Sequence, residues 1–119
     1  MATAVKRKLS GSTDGRGVKV VATATAGTTI HTAVAGTTAG TFDEVWLYAY
    51  NSDTSTRILT IEYGGVSAPD DNIVVSLQAQ AGLVLVVSGL ILQNTMVVKA
   101  FADSANKVIL FGFVNAITD

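Results

Sequence analysis

The sequence predicts an all-β fold, an antiparallel β-sandwich of jelly-roll-like type with about eight strands. Strand-forming apolar segments recur along most of the chain and are separated by Gly, Ser, Asn and Asp. No segment has the 3.6-residue apolar period of an amphipathic helix. The chain has 119 residues, which suits one domain with one core. A closed barrel is the alternative arrangement of the same strands.

The first part of the chain divides into an arm and the start of the domain. Gly11 to Gly17 consists mainly of turn-forming residues, so residues 1–17 are predicted to form an N-terminal arm and flexible loop, and residues 18–119 the sandwich domain. Within the arm, Ala4 to Leu9 is the segment able to add to the sheet as an edge strand. Val18 to Thr25 and Thr28 to Val34 favour strands because they are rich in β-branched residues.

The middle of the chain predicts a hairpin. Phe42 to Tyr50 is predicted to form the first strand, and because side chains of a strand alternate between faces, Val45, Leu47 and Ala49 share one face. Asn51 to Ser55 is a polar turn, and Arg57 to Tyr63 returns as the second strand. A loop around Pro69 follows, because proline lacks the N–H donor that a sheet needs. Further strands are predicted at Ile73 to Leu77, Leu83 to Val87 with a continuation through Leu92, Met96 to Ala102 and Lys107 to Ile117.

Leu83 to Val87 has high β propensity and carries no charge and no proline. Such a segment promotes aggregation when it lies at an exposed sheet edge. We therefore expect it inside a sheet or in a subunit interface.

Composition limits the classes of partner. Charged residues make up 14% of the chain, against about 25% in typical domains, which favours packing against other protein. The net charge of -1 provides no general attraction to nucleic acid or anionic membranes, and Lys6 to Lys8 is interpreted as a solvated basic arm. The chain has no cysteine, and Leu83 to Leu92 is shorter than the roughly 20 residues of a membrane span. Synthesis in the cytoplasm is expected.

The sequence offers no motif for catalysis, so no enzyme activity, cofactor or metal is predicted. His31 has no carboxylate beside it in the sequence and is interpreted as a hydrogen-bonded structural residue. The glycines from Gly11 to Gly17 lack the Gly-Lys-Ser/Thr of a phosphate loop. The acidic pairs at Asp43 and Asp70 lack calcium-loop spacing and are interpreted as solvated.

Aromatic residues form the one feature with the character of a ligand surface. Trp46, Tyr48 and Tyr50 fall on one face of their predicted strand. Aromatic faces stack on sugars, which keeps a carbohydrate-binding module as an alternative function. The same side chains also suit a sandwich core or a protein interface, which is the preferred interpretation.

Four stretches resemble a family of small all-β proteins of tailed bacteriophages, the capsid decoration, or cement, proteins. They are Val45 to Ser52, Thr60 to Gly65, Gly82 to Leu90 and Val108 to Ile117, and the resemblance covers Phe42 to Asp119. It implies a jelly-roll-like sandwich, often trimeric, that binds the outer capsid surface and braces neighbouring capsomers. The protein would assemble in the host cytoplasm and reside in the virion.

The resemblance implies partners and contact residues as well. The partners are a homo-oligomer, expected to be a trimer, and the major capsid protein; a tail, neck or head-fibre component is the alternative virion role. The candidate capsid contacts are Ala2, Thr3, Ala4, Val5, Lys6, Arg7, Lys8 and Leu9, and the candidate oligomer-interface residues are Met96, Val98, Phe101, Phe111 and Phe113.

Overall fold

The computed structural model describes residues 2–119 and contains two antiparallel β-sheets, one of five strands and one of four. The predicted all-β sandwich is confirmed, with nine strands instead of about eight. Met1, the first residue of the expected arm, lies outside the described residues. The strands are β1 (Thr3–Lys8), β2 (Val18–Lys19), β3 (Thr28–Thr32), β4 (Phe42–Asn51), β5 (Arg57–Tyr63), β6 (Asn72–Leu77), β7 (Val84–Leu92), β8 (Val97–Ala102) and β9 (Val108–Thr118).

The strand pairing is that of a jelly roll. Sheet A has the order β1-β9-β4-β7, with β2 also pairing with β9, and sheet B has the order β3-β8-β5-β6. The pairs β2–β9, β3–β8, β4–β7 and β5–β6 are nested within one another along the chain. They therefore form one long antiparallel hairpin, and folding this hairpin over adds the pairs β4–β9 and β5–β8.

The core lies between the two sheets and is built by alternation along the strands. On β4, Val45, Leu47 and Ala49 are 0% exposed, and they meet Leu59 and Ile61 of β5 in one buried cluster. Full burial of a leucine or isoleucine side chain stabilises the folded state by about 1.5–3 kcal/mol. The apolar half of each alternating strand therefore supplies the main stabilisation of the sandwich.

The N-terminal segment is part of the sheet. Thr3–Lys8 pairs with β9 along its whole length, from Thr3 opposite Thr118 to Lys8 opposite Phe113. Leu9 follows directly and is 1% exposed in the core. The edge-strand interpretation of this segment is therefore the one that the structure supports, since β9 offers a free edge that β1 completes.

The segment after β2 differs from its prediction. Strand structure stops at Lys19, although a strand was expected to continue to Thr25. Residues 22–27, which we name the strap, cross over β8 to reach β5. Gly27, the last residue of the strap, lies against the main chain of Ala100 in β8. The N–H of Gly27 donates to Glu62 Oε1 of β5 at 2.7 Å. A carboxyl group distant in the sequence thus draws this segment out of the sheet.

Strand β7 lies at an edge of sheet A, so the expectation that Leu83 to Val87 lies inside a sheet is wrong for the single chain. The register between β4 and β7 shifts twice, which leaves Val86 and Gly89 as extra residues on β7. Such β-bulges protect an edge because they distort its ladder of hydrogen-bonding groups. Whether Leu83 to Val87 also contacts another subunit stays a prediction.

Candidate functional site

The outer face of sheet A, which points away from the core, carries a continuous row of aromatic and apolar side chains. The core-facing residues of β4 and β9 are buried, and the residues between them are half-buried and point outward. The register places Trp46 opposite Phe113 and Tyr48 opposite Phe111. We name this surface the aromatic face, and it comprises Trp46, Tyr48 and Tyr50 of β4 with Ile109, Phe111 and Phe113 of β9.

The centre of the aromatic face is a stack of two rings. The rings of Trp46 and Phe113 are 6.2 Å apart between centroids and inclined by 11°. Lys6 Nζ of β1 lies 4.2 Å from the centroid of the Phe113 ring. An ammonium group at this distance is attracted by the negative face of the ring. The stack is thus held from one side by the N-terminal strand.

On its other side, Trp46 packs against the backbone of β7. Gly89, the extra residue of one β7 bulge, has a φ of +70°, which favours glycine. A Cβ atom built on Gly89 would lie 3.0 Å from Cζ2 of Trp46, so any larger residue would press on the indole ring. The bulge therefore both bends the edge strand and leaves room for the tryptophan.

One carboxylate organises the polar groups of this face. Glu44 Oε1 accepts a hydrogen bond from Trp46 Nε1 at 2.8 Å and another from Asn115 Nδ2 at 3.0 Å. These two donors, that of Trp46 first, hold the pKa of Glu44 below its ordinary value of 4.5. A carboxylate and an amide thus stand beside the Trp46–Phe113 stack.

The two borders of the aromatic face differ in charge. Along one border the register places Lys6, Lys8 and Lys19 on the outward side of β1 and β2. Along the other, Leu85 and Ile91 of β7 point outward and are exposed. Ser88 lies between these two exposed residues on the outward side of the strand, and exposed apolar side chains grouped on one face typically mark a site of interaction. The arrangement suits a partner surface that is apolar at its centre.

A buried cluster contains the residue types of a catalytic triad, and its hydrogen bonds show a structural role. His31 Nε2 lies 2.7 Å from Asp43 Oδ2, and His31 Nδ1 accepts from the main-chain N–H of Ser10 at 3.0 Å. Ser10 Oγ accepts a hydrogen bond from Thr32 N at 2.7 Å. It makes no hydrogen bond to the imidazole, as the hydroxyl of a catalytic serine would. The histidine is 4% exposed. The cluster joins the segment after β1 to both sheets.

Other polar groups form no shared site. Asp43 points into the molecule and Glu44 outward, so this acidic pair cannot bind one ion together. Asp71 Oδ2 accepts from Ser67 N at 3.0 Å within its loop. Within residues 2–119, no group of three or more His, Cys, Asp or Glu side chains is placed to hold a metal ion. A shallow cleft of about 270 Å³ is lined mainly by Gly64, Val66, Met96 and Lys99.

The candidate interface residues do not share one surface. Phe111 and Phe113 lie on the aromatic face, whereas Phe101 points outward from sheet B beside Thr60. Met96 lies in the cleft at one end of the sandwich. Val98 is 0% exposed in the core, so its inclusion is corrected: its side chain is not accessible to another subunit. Alternation along β9 would have selected Ile109 with Phe111 and Phe113, because the three share one parity.

The candidate capsid contacts also divide. Thr3 to Lys8 are exposed along the whole of β1, whereas Leu9 is buried in the core and is withdrawn as a contact. Ala2 is exposed ahead of the strand. The side chains of Lys6 and Lys8 lie on the same side of the sheet as the aromatic face. The exposed candidates of β1 and the aromatic face therefore form one surface.

Comparison with known proteins gives no relative: no family model, no curated protein and no solved structure matches this chain. Among the residues that the structure describes, no helix has the length and apolar character needed to cross a membrane.

Proposed function

We propose that this protein is a non-enzymatic structural protein that acts by binding another protein through the aromatic face. From the resemblance of its sequence, we propose further that it is a capsid decoration protein of a tailed bacteriophage. In this role it binds the major capsid protein on the outer surface of the shell, as a homo-oligomer, with a trimer favoured by the resemblance. It stabilises the shell by adding contacts between capsomers.

The observation that carries the proposal is the aromatic face. The row of Trp46, Tyr48, Phe111 and Phe113 lies on the outward side of the sheet and is half-buried, with Gly17 against Phe111 and Lys6 against Phe113 at its β1–β2 border. A ten-residue strand at about 3.3 Å per residue, and four strand positions at about 4.8 Å, give a surface of roughly 600 Å². A standard protein interface buries about 800 Å² per partner. The aromatic face with its borders therefore matches the lower end of specific interfaces, which is about 600 Å² per partner.

A pair of matched variants tests this proposal. Phe111→Ser removes an aromatic ring from the outer face of sheet A, and Phe101→Ser removes one from the outer face of sheet B. In sedimentation with purified capsids that lack the protein, we expect Phe111→Ser to weaken binding at least tenfold. A tenfold loss is about 1.4 kcal/mol, and a central interface residue contributes about 2 kcal/mol or more. Phe101→Ser should bind like the unchanged protein.

Equal binding by both variants would contradict the role of the aromatic face. Quantification in purified virus particles tests the location separately. We expect about one copy, or a simple fraction, per major capsid subunit. A few copies per particle would instead indicate the tail, neck or head-fibre role, and absence from particles would refute a virion role.

One observation favours carbohydrate binding as a second candidate function. The Trp46–Phe113 stack lies beside Glu44 and Asn115, so that an aromatic platform and hydrogen-bonding groups occur together. Sugars bind to such combinations by stacking and by hydrogen bonds to their hydroxyl groups. The fluorescence of Trp46, the single tryptophan, reports on this site directly. Titration with glycans should shift its emission if the candidate is correct, and an unchanged emission would eliminate it.

A further inference from the structure

The four outermost strands of the two sheets differ in how their edges are protected. The β1 edge carries the charged side chains of Lys6, Arg7 and Lys8. The β7 edge is distorted by two bulges. The edge of β3 is covered by the segment after β1, because Gly11 N–H donates to Ile30 O at 2.9 Å. Natural proteins use all three of these devices to prevent sheets from joining edge to edge.

Strand β6 has none of these protections within the described chain. Its residues Asn72–Leu77 carry no charge and no proline, and its register with β5 is regular throughout. It is the last strand of sheet B, so one side of its ladder has no partner strand. Val74, at its centre, is 63% exposed. We propose that β6 is a self-association edge, at which two copies of this chain pair their β6 strands antiparallel about Val74.

The hydrogen-bonding pattern identifies the groups that face the free edge. Tyr63 N–H donates to Asp71 O at 2.8 Å, immediately before β6. Bonded and non-bonded pairs alternate in an antiparallel ladder, so Ile73 and Val75 are the residues bonded to β5. The N–H and C=O groups of Val74 and Ser76 therefore point away from β5. In the described chain, no hydrogen bond outside the sheet ladders involves Val74 or Ser76.

A second copy is the occupant because the strand is complementary to itself. Antiparallel pairing about Val74 places Val74 opposite its symmetry mate and Asn72 opposite Ser76, with no charged residue facing another. Ile73 then faces Val75, and both pack against the core. The pairing thus joins polar to polar and apolar to apolar residues, and it continues sheet B and its core from one molecule into the next. An isologous contact of this type joins two copies about a two-fold axis, so it is separate from the contacts that would build the proposed trimer.

The natural absence of cysteine allows a sharp test by disulfide trapping. In the proposed pair the two Val74 Cα atoms are about 5.5 Å apart, within the range that a disulfide spans. The two Ser76 Cα atoms are separated by about 14 Å, because they lie four residues apart along the strand direction. Under mild oxidation, Val74→Cys should form a covalent dimer at least tenfold faster than Ser76→Cys, which is the matched control in the same strand.

Equal rates for the two variants, or no dimer from either, would overturn the proposal. An independent measurement uses Val74→Pro, which removes the N–H that faces the free edge and leaves the pairing with β5 in place. We expect it to weaken the dimer at least tenfold in sedimentation equilibrium, and an unchanged dimer would contradict the inference. Phe111→Ser should leave the trapping of Val74→Cys unchanged, so this result does not depend on the aromatic face.

Discussion

The outer faces of the two sheets each carry a glutamate, and the molecule surrounds these two residues differently. Glu62 of sheet B is 1% exposed, because the strap lies over it and donates hydrogen bonds from Thr25 Oγ1 at 2.5 Å and Gly27 N at 2.7 Å. Glu44 of sheet A is only half-buried and accepts from its neighbours within the sheet. The chain thus covers the glutamate on the outer face of sheet B and leaves the glutamate of sheet A accessible.

This difference shows how a chain with few charges folds as one domain and still presents a surface for association. The strap converts part of sheet B into a second buried layer, in which Thr60 and Glu62 are buried although they point away from the core. On sheet A the outward residues of β4 stay half-buried, and the chain contacts the rings of β9 only from the border, through Lys6 and Gly17. An apolar outer face without cover from its own chain is the surface on which another molecule gains most by binding.

The largest expected effect is on the free energy of unfolding, and it compares the core side of β4 with its outward side. Leu47 is fully buried and its neighbour Tyr48 points outward. Leu47→Ala should lower the free energy of unfolding by about 2–5 kcal/mol, because it leaves a cavity in the core. Tyr48→Ala should lower it by about 1 kcal/mol. Urea denaturation measures both values, and an equal loss from Tyr48→Ala would show that the aromatic face belongs to the core.

The second effect compares the two glutamates. Glu62→Ala removes the charged acceptor of two partly buried hydrogen bonds from the strap, which should lower the free energy of unfolding by about 2–3 kcal/mol. Glu44→Ala removes an acceptor at a surface that water reaches, so stability should change little. Hydrogen exchange at the Gly27 amide provides the specific readout: protection should be lost in Glu62→Ala and retained in Glu44→Ala. Retained protection in both variants would contradict the role of Glu62 in holding the strap.

The smallest effect is a pH-dependent change on the aromatic face. Because hydrogen bonds from Trp46 and Asn115 lower the pKa of Glu44 below 4.5, the carboxylate stabilises the folded state above the ordinary pKa. This contribution is lost as the pH falls through the lowered value. The emission of Trp46 should therefore change with a midpoint below pH 4.5. Glu44→Gln should abolish this transition, and a transition that persists in this variant would assign it to another group.

The sequence alone determined the fold class and the alternation of its clearest strand. The alternation in Phe42 to Tyr50 was enough to place Val45, Leu47 and Ala49 on one face and the aromatic residues on the other, since strand geometry requires it. The alternation did not decide which of these two faces lies in the core. The choice of Val98 as an interface residue failed, because the neighbours that bury it come from a strand distant in the sequence.

Only the tertiary structure decided which surfaces have cover. The carboxyl group of Glu62, the crossing of Gly27 over β8 and the contact between His31 and Asp43 join residues that are 35, 73 and 12 positions apart. The free edge of β6 likewise depends on which strand ends its sheet. Local sequence controls propensity and alternation, which act over a few residues. Whether a sheet surface is covered by another segment of the chain depends on long-range pairing, which local patterns do not encode.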